Sequence, residues 1–303
     1  MTASSAKAGG FGLSLLSAAS FSTSGSFARS LTNTGWSPAA AVAIRCAVAA
    51  LLLVIPAIIE IRASWSVVVR RARTIVIYGA VTVAGCQVCY FNAIRRIPVG
   101  LALLVEYLGI VLIVGWLWWR GQRPRRLMVI GSLVALVGLW LTIAPSSDRQ
   151  LDPVGVLWAL GAAVGLATYF ILSANTDDGL PPATLACGGL IVGAAVVIAA
   201  SWLGIVSLHA GLGDVELAGH RAPLWLPVLG LGLVATAIPY VTGIQAARRL
   251  GPKLASFVSL SEVLFAVTWA WLLLGELPSL GQVLGGAIIV IGVALVRIDE
   301  VMR

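Results

Sequence analysis

The sequence predicts an all-α polytopic membrane protein of about ten transmembrane helices, arranged as two inverted five-helix repeats. Three observations carry this reading. First, 59% of the 303 residues are hydrophobic and only 11% charged, with a mean hydropathy of +1.00, whereas a soluble domain carries about 25% charged residues. Second, apolar runs long enough to cross a bilayer, about 20 residues each, recur along the whole chain. Third, a block in the first half aligns without gaps to a block in the second.

The first helix, at 11–31, follows a start that lacks a compact basic region, a dense Leu/Val core and a small-residue cleavage site, so it reads as a retained helix. Turn residues and charges then divide the chain into helices at 38–59, 74–94, 98–118, 126–144, 153–175, 182–206, 223–247, 252–273 and 279–298. Pro38, Pro98, Pro153, Pro182, Pro223, Pro252 and Pro278 stand at or just before helix starts, where no amide hydrogen bond is lost. The longest connectors are 60–73 and 207–222. Cys46, Cys86, Cys89 and Cys187 all fall inside helices, which argues for packing and against a disulfide framework.

Positive charge assigns the sides. With the N-terminus cytoplasmic, one side collects Lys7, Arg62, Arg70, Arg71, Arg73, Arg120, Arg123, Arg125, Arg126, Arg248, Arg249, Lys253, Arg297 and Arg303. The other holds only Arg29, Arg95, Arg96, Arg149 and Arg221. This asymmetry places both termini in the cytoplasm of a multi-pass cell-membrane protein. It also accounts for the net charge of +8 without nucleic acid, leaving only Arg45 unassigned.

The repeat is visible where "RGQRPRRLMVIGSLVALVGLWL" (120–141) aligns with "LGELPSLGQVLGGAIIVIGVAL" (274–295), pairing Gly121, Pro124, Gly131 and Gly138 with Gly275, Pro278, Gly285 and Gly292. "CYFNAI" (89–94) answers "PYVTGI" (239–244), matching Tyr90 with Tyr240, and "SPAA" (37–40) answers "PPAT" (181–184). The halves are therefore 1–147 and 148–303. Five helices per half is an odd number, so the second half enters from the opposite side, an arrangement that builds many secondary transporters.

The five-plus-five repeat, "SPAAAVAIRCAVAALLL" in the second helix, and "ASFVSLSEVLFAVTWAWLLLGELPSLGQVLGGAIIVIGVAL" in the ninth and tenth resemble the EamA-type branch of the drug/metabolite transporter superfamily. The resemblance spans essentially the whole chain. It implies a ten-helix fold with a central cavity between the repeats, and transport, often export, of amino acids or other small metabolites. The sequence departs from the family at one point. Glu262 precedes Val263 where Glu-Pro is common, and no proline follows Glu106, so a proline-dependent helix break does not carry over.

Ionisable groups inside spans cost about 2.5–3.5 kcal/mol on insertion scales and usually face protein or water. Arg45, Glu106 and Glu262 meet that description. Arg45 sits where the resemblance places a motif arginine; its second-repeat counterpart is near Gly189. It either grips a carboxylate of substrate or cavity with its planar fork or anchors helices to one another. Glu106 and Glu262 either exchange a proton or contact a substrate amine, or are carboxylates neutralised within the protein. Ser259 lies one turn before Glu262. Gln87 and Tyr90 share a face of the third helix, Tyr240 with Pro239 marks the repeated place in the eighth, where Thr236 answers Cys86, and Tyr169 and Ser173 share a face of the sixth. Ser17, Ser20, Ser22, Thr23, Ser24 and Ser26 make the first helix rich in hydroxyls, which line a pathway or bond their own helix. Asn92 points away from Gln87. Gly131/Gly138, Gly285/Gly292 and Gly161/Gly165 suit close helix packing. Trp116, Trp118, Trp119, Trp269 and Trp271 suit interfacial belts.

Other features carry less. "CQVC" (86–89) has metal-like spacing without a second pair nearby. His209, His220, Asp214 and Glu216 fall in one outer connector, and Glu276 lies near a helix end. "NTDDG" (175–179) offers a single Asp pair to the competing reading, a membrane-embedded enzyme of lipid or isoprenoid metabolism. No G-x-x-x-x-G-K-[ST] occurs, so ATP does not drive this chain directly. No cofactor or metal is expected. The expected partners are a small-molecule substrate, the lipid bilayer and a coupling proton.

Overall fold

The computed structural model describes residues 3–62, 65–94, 96–97, 99–121, 126–143, 152–175, 179–211, 213, 215–217, 220–274, 277 and 279–301. The readings of Arg95, Pro98, Arg123, Pro124, Arg125, Arg149, Asp177, Asp178, Asp214, Gly275, Glu276, Pro278 and Arg303 fall outside these residues.

Hydroxyls break the first predicted helix into α1 (Ala3–Phe21) and α2 (Ser24–Thr32). Ser22 Oγ donates to the Ala19 carbonyl at 2.8 Å and Thr23 Oγ1 to that of Ser20 at 2.7 Å, and such back-bonding competes with the helical ladder. α3 (Pro38–Ile61) starts at the N-cap Ser37, whose side chain accepts from the Ala40 amide at 3.2 Å. A short helix, α4 (Trp65–Arg70), occupies part of the predicted connector. The next span is composite: α5 (Ala72–Ile77), a π-helical segment π1 (Tyr78–Gly85) and α6 (Cys86–Ile94).

α7 (Val99–Tyr107) and α8 (Gly109–Trp119) meet at Leu108, and α9 runs Arg126–Ile143. α10 (Pro153–Ala174) begins at Asp152, whose carboxylate accepts from the Val154 amide at 2.8 Å and pairs with exposed Arg96 at 3.1 Å. These contacts, the amide first, hold the Asp152 carboxyl below the usual carboxylate range. α11 (Pro182–Trp202) leads into an antiparallel hairpin, β1 (Val215–Leu217) with β2 (His220–Ala222), in the long outer connector. A second composite span follows: α12 (Trp225–Leu229), π2 (Gly230–Ala237) and α13 (Ile238–Ser259). Within α13 the chain bends at Gly251, whose φ of 80° only glycine adopts readily, just before Pro252. α14 (Ser261–Leu274) and α15 (Leu280–Val301) complete the order.

Six helical stretches, 38–61, 72–93, 102–119, 153–174, 182–202 and 225–259, are long and apolar enough to cross a membrane, with shorter apolar helices at 126–142 and 280–296. The protein is a predominantly helical multi-pass membrane protein. The predicted fourth and ninth helices break near Glu106 and Glu262 without proline. Leu108 and Leu260 take tight 3₁₀-like turns in which the Leu108 amide reaches Val105 O and the Leu260 amide reaches Phe257 O, both at 3.1 Å.

Small residues set the helix contacts. A methyl on Gly131 would meet the Gly292 carbonyl at 2.9 Å, and one on Gly138 would meet that of Gly285 at 2.7 Å, so α9 and α15 cross with backbones touching. Along α3 and α11, Cys187 Sγ lies 3.5 Å from Ala50 O and Thr184 Oγ1 3.4 Å from Ala57 O. Gly161 and Gly165 of α10 seat Cys89 and Cys86 of α6. Many large apolar side chains, Leu51 and Ile55 among them, point outward, as expected of a surface facing acyl chains.

Candidate functional site

The helices enclose a cavity of about 580 Å³, within the 300–1,000 Å³ range of small-molecule sites. All eight residues singled out from the sequence line it: Arg45, Gln87, Tyr90, Glu106, Tyr169, Tyr240, Ser259 and Glu262. They come from α3, α6, α7, α10, α13 and α14, so both halves of the chain build the wall. Exposed Gly25, Arg29 and Pro38 stand at one end, and the cavity opens there, beside the start of α3.

Arg45 is 4% exposed, so its side chain does not snorkel to the membrane surface. Its guanidinium stands 5.5 Å from the centroid of Phe21, a cation–π arrangement, and Nη1 donates to Ser24 Oγ at 3.2 Å. Nε and Nη2 are buried and have no hydrogen-bond partner among the described residues; the Cys46 thiol lies close by without bonding geometry to either. Leaving such donors bare costs about 1–3 kcal/mol each, more for a charged group. Nε and Nη2 are also the edge that grips a carboxylate through two parallel bonds.

The acids come from other elements. Glu106, in the last turn of α7, accepts from Cys86 Sγ at 3.3 Å. Glu262, in the first turn of α14, lies beside the Tyr107 hydroxyl. Arg45 and two carboxylates thus line one cavity, together with Tyr90, Tyr169 and Tyr240. Such a site can hold the two ends of a dipolar solute.

Aromatic rings close the end of the cavity away from Pro38. Phe21 and Tyr240 stand 6.4 Å apart, Tyr240 and Tyr169 5.8 Å, and Tyr169 and Tyr78 6.0 Å. The Tyr169 hydroxyl rests on Gly243, where a methyl group would collide with it.

Other sequence expectations divide. Of the hydroxyls expected in the first stretch, Ser17, Ser22 and Ser24 line the cavity, joined by Ser14, while Ser20, Thr23 and Ser26 do not; Ser22, Thr23 and Ser30 bond carbonyls of their own segment. Thr236 does not line it; its hydroxyl donates to Leu231 O at 2.7 Å within π2. Asn92 bonds Val88 O on its own helix. Trp269 is a helix anchor, donating from Nε1 to Ala19 O at 3.0 Å, whereas Trp118, Trp119 and Trp271 are exposed. Cys86 was expected only to pack; it packs on Gly165 and also lines the cavity against Glu106. Phe21, Phe91 and Tyr107 also line the wall and were not foreseen, because an aromatic in an apolar run looks the same whether it packs or lines.

The profile of the EamA-like transporter family matches residues 8–144 and again 153–298. The chain belongs to this family. It is a transporter and not an enzyme. It is similar to the transporter YwfM of Bacillus subtilis, 26% identical over 73% of this chain and 72% of that one. It is also similar to the threonine/homoserine exporter RhtA of Escherichia coli K12, at 27% over 73% and 70%. A crystal structure that shares 24% identity superposes with a TM-score of 0.78 over 98% of this chain and 97% of the other, so this EamA-like transporter has the same fold.

Proposed function

We propose that the protein is a secondary transporter that exports amino acids or similar small metabolites across the inner membrane by alternating access, and that its ten helices form two inverted five-helix repeats, 1–147 and 148–303. One observation carries the substrate reading: buried Arg45, whose guanidinium has one side-chain hydrogen bond, to Ser24, lines a cavity that Glu106 and Glu262 also line. In this reading Arg45 holds the substrate carboxylate. Glu262 and Glu106 receive its amine or a coupling proton, and Gln87, Tyr90, Tyr169, Tyr240 and Ser259 bond its polar groups. The printed name of RhtA, a threonine and homoserine exporter, supports the same class.

Support for the repeat comes from the glycines. Gly131 corresponds to Gly285 and Gly138 to Gly292 in sequence, yet Gly131 packs on Gly292 and Gly138 on Gly285. That reciprocal exchange is the signature of an isologous two-fold contact. Charge bias then sets the closed end, beside Arg70, Arg71, Arg73, Arg248 and Arg249, toward the cytoplasm, with both termini on that side.

The decisive experiment is uptake and efflux of a panel of labelled amino acids and metabolites in proteoliposomes. Saturable flux of at least one dipolar solute, above that of empty liposomes, is expected. Absence of flux for every compound would overturn the substrate reading.

A further inference from the structure

Behind the aromatic rings that close the cavity stands one side chain that no functional reading has used. Tyr78, the first residue of π1, is fully buried, and the Cδ1–Cε1 edge of its ring sits on Gly189 of α11, where a methyl group would collide with Cδ1. Its hydroxyl shares a hydrogen bond with Ser173 Oγ at 3.4 Å, and its ring meets Tyr169, the floor of the cavity, at 6.0 Å. Tyr78 therefore stands behind Tyr169, five residues along the chain from Arg73 on the side of the bundle that carries Arg70, Arg71 and Arg73.

The seat of this ring matters. When "SPAA" is aligned with "PPAT", Gly189 is the counterpart of Arg45. On α3 that position faces open cavity; on α11 the equivalent space is occupied by the Tyr78 ring.

The backbone beneath the ring is closely packed. π1 and α11 meet through glycines: a methyl on Gly79 would lie 2.5 Å from Gly189 O and from the Val192 side chain, and one on Gly193 2.5 Å from the Val83 side chain. A π segment inside a helix is a common mark of functional sites, and here it carries the ring at its first position.

We propose that Tyr78 is the gate residue of the closed end: its ring, seated on Gly189 and tied to Ser173, seals the cavity, and its departure opens the path to the basic side. This rests on the alternating-access reading above. When the gate swings, the Tyr78–Ser173 bond and the contact with Tyr169 break together, and the space over Gly189 joins the cavity.

The test uses the full-length protein with Cys46, Cys86, Cys89 and Cys187 replaced by alanine and Ser259→Cys as a reporter on the cavity wall. A membrane-impermeant charged maleimide is added to right-side-out or inverted vesicles, and labelling is read as a mass shift. With Tyr78 present, labelling from the open side is expected to exceed labelling from the basic side. Tyr78→Ala should raise the basic-side rate at least tenfold, while Tyr78→Phe, which keeps the ring, should raise it far less. Gly189→Ala, whose methyl expels the ring without deleting it, provides the second route and should also raise it. A basic-side rate unchanged in folded Tyr78→Ala, or in folded Gly189→Ala should the first fail to fold, overturns the gate. Labelling from neither side overturns the gate together with the cavity reading. Side-selective labelling that responds to Tyr78, in a protein that moves no amino acid, supports the gate and removes only the substrate class.

Discussion

Arg45 is a guanidinium inside a membrane helix that lines the cavity, with one bond to Ser24 and two buried donors that have no hydrogen-bond partner among the described residues. A residue kept there only to hold helices together would have its donors spent on carbonyls of neighbouring helices. Arg45→Lys separates the two roles, since it keeps the charge and loses the planar fork. We expect Arg45→Lys to fold and elute like the parent while its KM for a carboxylate substrate rises about tenfold or more, the worth of one charge-assisted bond of roughly 1.5–3 kcal/mol. Arg45→Ala should also insert and fold, but lose transport. Loss of folded protein in both variants would assign Arg45 to anchoring. These eight wall residues were legible in sequence because a polar side chain in an apolar run is costly and so has a reason to be there. Tyr78 was not legible. A tyrosine on an apolar segment looks like any packed aromatic until its seat on Gly189 is seen.

At the scale of elements, the sequence located most helix bounds to within a few residues, because prolines at first turns and charges between spans mark the ends. Breaks inside the helices were hidden. The turns at Leu108 and Leu260 and the two π segments contain no proline; they arise from hydrogen-bond shifts that no residue type announces. The glycine pairing was foreseen as close packing, and its reciprocal pattern yields a prediction: Gly138→Leu should force α9 away from α15 and destabilise the folded protein by about 1–3 kcal/mol, the usual cost of overpacking. Thermal unfolding in detergent measures it, with exposed Val137→Leu as the control that should change nothing. Capping gives a second prediction. Asp152 has a depressed pKa in the folded protein, so its contribution is present above the ordinary aspartate pKa and is lost as pH falls through the folded value. Asp152→Asn should therefore lower the melting temperature at neutral pH, and the gap from the parent should narrow as the buffer is made acidic. A gap that stays constant with pH would mean that the carboxylate charge is not what the cap uses.

For the whole molecule, the question is what drives net movement. For the export proposed above, a proton gradient is one source of energy, and the cavity offers two carboxylates that can carry a proton: Glu106 beside Cys86 and Glu262 beside Tyr107. They come from opposite halves of the chain, each beside a helix break, so a change in the packing of one half against the other alters the surroundings of both. A carboxylate that binds a proton when the cavity faces the outside and releases it when the cavity faces the cytoplasm exchanges that proton for substrate. The direction follows: in proteoliposomes, a gradient acidic on the open-end side should accelerate substrate flux toward that side. Glu262→Gln and Glu106→Gln each fix one site in an uncharged form. The variant that abolishes the gradient effect while leaving exchange of labelled for unlabelled substrate intact identifies the coupling acid. If both variants respond to the gradient as the parent does, the carboxylates are substrate ligands alone and the energy of export comes from the substrate's own concentration difference.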